Sequence, residues 1–163
     1  MELTLCTIGF AGKTAEQFFS LLTQAGVRRV LDIRENRSGQ LSGFAKHPDL
    51  AFFLQGLAAI EYEHEPRLAP TPEIRKAYRA SKDWPQYEAA FLALMRDRGF
   101  PGAVEVHVEG GTLALLCSEP GPEKCHRRLV ADLLAGHLRD KGYVVHVRHL
   151  ATEKAARKKK RKK

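Results

Sequence analysis

The sequence predicts an α/β fold: one three-layer domain built on a mostly parallel, five-stranded sheet. Three observations carry that expectation. Strand-length apolar segments alternate with segments of helical periodicity along most of the 163 residues. A strand, a helix and a second strand fall within the first 34 residues, the size of one βαβ unit, so those two strands should run parallel. Leu113-Ala114-Leu115-Leu116-Cys117 is apolar without alternation, the pattern of a strand buried on both faces.

Leu3 to Ile8 reads as the first strand, with Gly9-Phe10-Ala11-Gly12 as the turn after it. Thr14 and Gln17 form a capping-box pattern, and Phe18, Leu21, Leu22 and Ala25 then mark one helical face that Gly26 ends. Arg29 to Arg34 is the second strand, and the polar stretch Glu35 to Lys46 reads as a loop. Leu50, Phe53, Leu54 and Leu57 give the next helical face. Ile60 to Glu65 alternates, which suits a strand at the edge of the sheet. Thr71-Pro72 starts a helix carrying Ile74, Ala77 and Tyr78, and Asp83 caps another carrying Tyr87, Phe91, Leu94 and Met95. Val104, Val106 and Val108 alternate with polar residues and suggest a small extra strand. After the apolar strand, Leu129, Val130, Leu133, Leu134 and Leu138 mark the longest helix, Gly142 ends it, and Tyr143 to Val147 is the last strand. With right-handed crossovers the simplest strand order is 3-2-1-4-5. The winding then reverses between the first and fourth strands, and ligands of such sheets bind at that point, outside the carboxyl ends.

Composition narrows the function classes. With 44% hydrophobic residues the chain can bury a core, and three cysteines are too few for a disulfide scaffold. No apolar run approaches the ~20 residues that span a bilayer, and the start of the chain lacks a signal-peptide pattern. The expectation is a cytoplasmic protein with no membrane partner. The net charge of +8 is unevenly placed. Residues 153–163 hold six lysines, two arginines and one glutamate, a net +7 that leaves about +1 for residues 1–152. The organisation expected is therefore one α/β domain over 1–152 and a disordered basic tail over 153–163. The tail is either an electrostatic arm for nucleic acid or a solubilising segment.

The most unusual segment is Cys117-Ser118-Glu119-Pro120-Gly121-Pro122-Glu123-Lys124-Cys125-His126-Arg127, which lies between the buried strand and the longest helix. Cys117, Glu119, Cys125 and His126 are candidate catalytic residues. A thiol at a helix start, beside Lys124, His126 and Arg127, has its thiolate favoured, and Cys125 is the expected beneficiary. Alternatively Cys117 is an inert apolar residue ending its strand. Zinc is disfavoured, because adjacent Cys125 and His126 rarely point at one ion, and no metal is assigned. A third reading makes the loop a phosphate cradle with Arg127 as its charge. Asp32 and Arg34 share one side of the second strand and form either a structural ion pair or, with Arg37, part of an anion site. Thr7 and Gly9 end the first strand at the same edge, where glycine permits close backbone approach. His64 could join them, although a surface histidine is the simpler reading, and Cys6 belongs to the core.

Thr7-Ile8-Gly9-Phe10, Asp32-Ile33-Arg34, Ser38 to Lys46, Glu65 to Thr71, and Leu116-Cys117-Ser118-Glu119 through Cys125-His126-Arg127-Arg128 follow one another as in the domain-of-unknown-function 488 family. The chain resembles that family over roughly residues 4–150, and the Cys-x-Glu…Cys-His-Arg element is the most specific part. The resemblance implies a compact α/β domain whose signature residues gather at one edge: Thr7, Gly9, Asp32, Arg34, Phe44, Lys46, Cys117, Glu119, Cys125, His126 and Arg127. It implies no particular reaction. The loop is also similar to rhodanese and thiol-phosphatase loops, but with nine residues between Cys117 and Arg127 in place of five, so the likeness is one of analogy. The functional expectation is a thiol-centred enzyme or redox protein acting on a small or nucleotide-like anion. The alternative is a noncatalytic nucleic-acid-associated protein that uses the loop as a cradle and the tail as an arm. No cofactor is required by the sequence.

Overall fold

A computed structural model describes residues 2–39, 42–103, 106–108 and 111–152. Five strands, β1 (Glu2–Gly9), β2 (Val27–Asp32), β3 (Glu61–His64), β4 (Thr112–Cys117) and β5 (Val144–His149), form one sheet. Every neighbouring pair in it is parallel. The helices are α1 (Ala15–Gln24), α2 (Asp49–Ala58), α3 (Pro72–Ser81), α4 (Trp84–Asp97) and α5 (His126–Asp140).

The helix starts follow the sequence closely. Thr14 and Gln17 close the expected capping box, and Thr71 and Asp83 cap α3 and α4 with their side chains. Gly26, at φ 67°, takes the chain out of α1 in a left-handed turn that other residues rarely adopt. The expected edge position of β3 is also observed. Of the small extra strand expected around Val104–Val108, residues 106–108 are not in a strand, and residues 104 and 105 lie outside the described residues, as does the basic tail.

The strand order is β3-β2-β4-β1-β5, which corrects the expected 3-2-1-4-5. Both β1 and β4 are buried along their carboxyl halves, from Leu5 to Gly9 and from Leu113 to Cys117. Their apolarity therefore qualifies either strand for the place beside β2. The expectation joined β1 to its nearest neighbour in sequence. In the protein the connection through α1 passes over β4, and Val30 and Leu31 pair with Ala114 and Leu115.

Two apolar layers hold the sheet. On one side Phe18 and Leu22 of α1 and Leu50 and Leu54 of α2 pack on Cys6, Ile8, Val30 and Leu116. On the other, Phe91 and Met95 of α4 and Leu129, Leu134 and Leu138 of α5 pack on Leu5, Leu31, Leu115 and Cys117. Full burial of each such side chain contributes about 1.5–3 kcal/mol. Among the described residues no helix is long and apolar enough to cross a membrane.

Candidate functional site

β1 leaves the sheet toward α1 on one face, and β4 leaves toward α5 on the other. The two strands are neighbours, with Gly9 opposite Cys117 at their carboxyl ends. The reversal of winding thus falls between the first and fourth strands, the place where α/β sheets bind ligands. Gly9 is there for lack of a side chain. A Cβ on it would stand 1.6 Å from the Glu119 carbonyl oxygen and 2.8 Å from Arg127 Nη1.

That close approach lets the segment after β4 fold over the tip of β1 and return Cys125 to Cys117. The two sulfurs are 2.8 Å apart, both as free thiols and both buried. Arg127 lies beneath them, 1% exposed. Its Nη1 donates to Cys117 Sγ at 2.9 Å and to the Glu119 carbonyl oxygen at 2.7 Å, and reaches Cys125 Sγ at 3.6 Å. Its Nε donates to Thr7 Oγ1 at 3.3 Å, and Thr7 Oγ1 is also 2.8 Å from His149 Nδ1.

The two thiols are not equivalent. Burial raises the pKa of Cys117, but a hydrogen bond from Cys125, the charge and hydrogen bond of Arg127 and the Glu119 backbone N–H outweigh it, bringing it down to about 7. Cys125 moves the other way: burial and its donation to Cys117 hold its proton well above the ordinary thiol range. The pair thus shares one proton and keeps it on Cys125. This reverses the expectation that Cys125 would carry the thiolate. Cys125 does sit at the start of α5, as its N-cap, but its side chain makes no capping bond to the free N–H groups there. His126 also lends no charge. Its Nε2 faces the Ile33 carbonyl oxygen at 3.2 Å, which can only accept, so that nitrogen carries the proton. Burial, with Arg127's charge adding to it, pushes the imidazole pKa down to about 4, so it is neutral at physiological pH.

Asp32 and Arg34 form a buried pair, 0% and 4% exposed. Arg34 donates through Nε and Nη2 to the two Asp32 oxygens at 2.8 and 2.6 Å, and through Nη1 to the Ala45 carbonyl at 3.0 Å. Tyr62 adds a hydroxyl donor to Asp32 at 2.7 Å. The guanidinium thus ties β2 to the loop after it. Arg37 reaches the Tyr62 hydroxyl at 3.3 Å, and His64 Nε2 is 2.7 Å from the Arg34 carbonyl oxygen. Cys6 is fully buried, and its pKa is raised by burial.

A cleft of about 540 Å³ opens over the sulfurs. It brings together Cys117, Cys125, His126, Glu119 and Arg34; Thr7, Gly9, Asp32 and Arg127 stand behind that lining, and Arg37 and Lys46 are not part of it. Its far wall is α3, which the sequence reading left out of the site. Arg75, Tyr78 and Arg79 line it, with Lys82, the left-handed residue that ends the helix, beside them. Their spacing of i, i+3, i+4 and i+7 reads as one helical face, a signal that was available in the sequence. Lys13 is a second omission. Burial and then the Arg127 charge lower its pKa, while Cys117 raises it, which puts its ammonium in the field of the thiol pair. Among the described residues, no group of three or more His, Cys, Asp or Glu side chains could hold a metal ion.

Compared with known proteins, the chain matches the family model described as Domain of unknown function DUF488 over residues 14–134. That span is well over half of the chain. It takes in Asp32, Arg34 and the whole Cys117–Arg127 loop, and starts after Thr7 and Gly9. No curated protein and no solved structure matches.

Proposed function

The chain belongs to the DUF488 family, a membership that names no reaction, and from its site we propose a thiol-centred redox protein acting on a small anion at the carboxyl edge of the sheet. The observation that carries this reading is the dithiol: two free sulfurs 2.8 Å apart, one with its thiolate favoured, over a buried guanidinium and under an open cleft. A single activated cysteine serves many chemistries. A second thiol in contact with it suits one that ends in a disulfide.

Cys117 is the attacking thiolate and Cys125 the resolving thiol. With a disulfide substrate, Cys117 Sγ bonds to one substrate sulfur and the other leaves as a thiolate. Cys125 then loses its proton to that thiolate, and its sulfur attacks Cys117 Sγ. The mixed disulfide breaks, the second substrate thiolate leaves and takes a proton from water, and a Cys117–Cys125 disulfide remains. The substrate gains two electrons and the protein loses two. An external thiol reductant resets the pair. Arg127 holds charge on Cys117 in the reduced protein, up to its attack on the substrate. The noncatalytic phosphate-cradle alternative draws less support, because Arg127 is turned inward onto sulfur and the Glu119 carbonyl.

The test uses 5,5′-dithiobis(2-nitrobenzoate), a chromogenic dianionic disulfide, on the native reduced protein. The wild type should release two equivalents of thionitrobenzoate and end as an intramolecular disulfide by mass. Cys125→Ser should release one equivalent and retain the mixed disulfide at residue 117. Cys117→Ser should react far more slowly. Release that persists in Cys117→Ser, or a stable mixed disulfide in the wild type, would overturn the assignment.

A further inference from the structure

The α3 wall of the cleft has a charge that the dithiol does not use. Arg34 is neutralised by Asp32, and Arg75 is paired with Glu35. Arg127 is balanced by the Cys117 thiolate beneath the floor. Three cations remain on the lining: Arg79, Lys82 and Lys124. Among the described residues, none of the three is held in an ion pair, and Glu119 is the one lining carboxylate outside an ion pair. The mouth therefore carries a net charge of about +2. It faces a concave, partly apolar wall that includes Tyr78 and Tyr87, a setting that focuses the field on a bound anion.

We infer that this mouth is a subsite for the terminal phosphate of a phosphorylated small molecule, the substrate of the dithiol site, so the inference rests on the redox reading above. Two quantities select that class. A phosphate monoester carries about −1.5 to −2 at pH 7, because its second pKa is near 6, whereas a nucleic-acid backbone diester carries one charge. The cleft volume of about 540 Å³ lies within the range of small-molecule sites, roughly 300–1,000 Å³, and a bare oxyanion would leave most of it empty. The phosphate engages Arg79, Lys82 and Lys124, and the organic part extends past the tyrosines toward Cys117.

Ribose 5-phosphate is the probe, titrated calorimetrically into reduced wild-type protein and variants. Binding should be measurable at pH 7.5, and in Cys117→Ser, which has no thiolate to lose, it should weaken several-fold at pH 5, where the phosphate is a monoanion. The exposed double variant Arg79→Ala/Lys82→Ala should lose at least tenfold in affinity. Cys117→Ser leaves Arg127 without its balancing thiolate and should bind at least as tightly as the wild type at pH 7.5, so the subsite can be tested even if the redox reading fails. The α3 double variant should still form the Cys117–Cys125 disulfide with the uncharged bis(2-hydroxyethyl) disulfide. Equal affinity for inorganic sulfate, tighter binding of an oligonucleotide lacking terminal phosphates, or no loss in the double variant would each overturn the inference.

Discussion

Replacing Gly9 by alanine tests how the site is assembled. The new Cβ would lie 1.6 Å from the Glu119 carbonyl oxygen, where ordinary contacts begin at about 3.4 Å. The loop must lift by more than an ångström. Two hydrogen bonds are exposed to that movement: Arg127 Nη1 to the Glu119 carbonyl at 2.7 Å, and the Ala11 N–H to the Ser118 carbonyl at 3.1 Å. Losing a charge-assisted bond costs about 1.5–3 kcal/mol and a neutral one about 0.5–1.5. Overpacking adds roughly 1–3, so the expected loss is on the order of 3–7 kcal/mol. With a urea slope of about 2 kcal/mol/M, the unfolding midpoint should fall by about 1.5–3.5 M. Lifting the loop also draws Arg127 and the Glu119 N–H away from Cys117, so the pH at which Cys117 alkylates should rise. Gly136→Ala in α5 is the control: nothing lies within 4 Å of its added Cβ, and it should be neutral or stabilising by up to about 1 kcal/mol. A Gly9→Ala midpoint within experimental error of wild type, with the Cys117 profile unchanged, would refute this account of the loop.

Three further outcomes are expected. Cys117 is depressed to about 7 from an ordinary value near 9.0, so its contribution to stability is complete above pH 9 and lost as pH falls through 7; Cys125, shifted upward, opposes it above pH 9. Chemical unfolding of the reduced protein should therefore show stability rising between pH 7 and 9 by an amount on the order of 2 kcal/mol, and Cys117→Ser should flatten that rise. Asp32→Asn leaves Arg34 buried beside a neutral amide and should destabilise by about 3–5 kcal/mol in urea unfolding, while the paired change Asp32→Leu/Arg34→Met should recover much of it; a loss below 1 kcal/mol for Asp32→Asn would show the pair to be idle. Removing residues 153–163 takes the net charge from +8 to about +1 and should abolish salt-sensitive binding to DNA measured at two salt concentrations; affinity that survives with its salt slope intact would place the binding in the body.

The element boundaries were legible because they are local. Thr14, Thr71 and Asp83 declare helix starts with their own side chains, and the alternation of Ile60 to Glu65 marks an edge. The strand order was not legible, since two strands buried on both faces look alike and only their pairing separates them. The meeting of Thr7, Asp32 and Cys117 at one edge followed from their positions at strand ends. Which cysteine holds the charge did not follow. It depends on the direction of the hydrogen bond between the sulfurs, donated by Cys125, and on Arg127 lying 2.9 Å from Cys117 Sγ and 3.6 Å from Cys125 Sγ. Arg75, Arg79 and Lys82 were readable at helical spacing beside Tyr78, but such a mostly charged stripe looks like solvated surface until a cleft is known to face it.

The aromatic side chains beside the cleft equip the protein with its own optical probe. Trp84 is the sole tryptophan. Its ring is stacked on Tyr87 at 4.9 Å, with the planes 23° apart, and lies 5.8 Å from Tyr78, and both tyrosines line the cleft. Tyr87 in turn stacks on Phe91, whose ring is 5.7 Å from His126. The thiol pair is close enough to raise the Tyr87 hydroxyl pKa, after burial itself. Indole emission responds to such neighbours, so oxidation of the sulfurs or arrival of a ligand should change the native fluorescence. Both events can then be timed in a stopped-flow cell on unlabelled protein, and the order in which they occur read from a single trace.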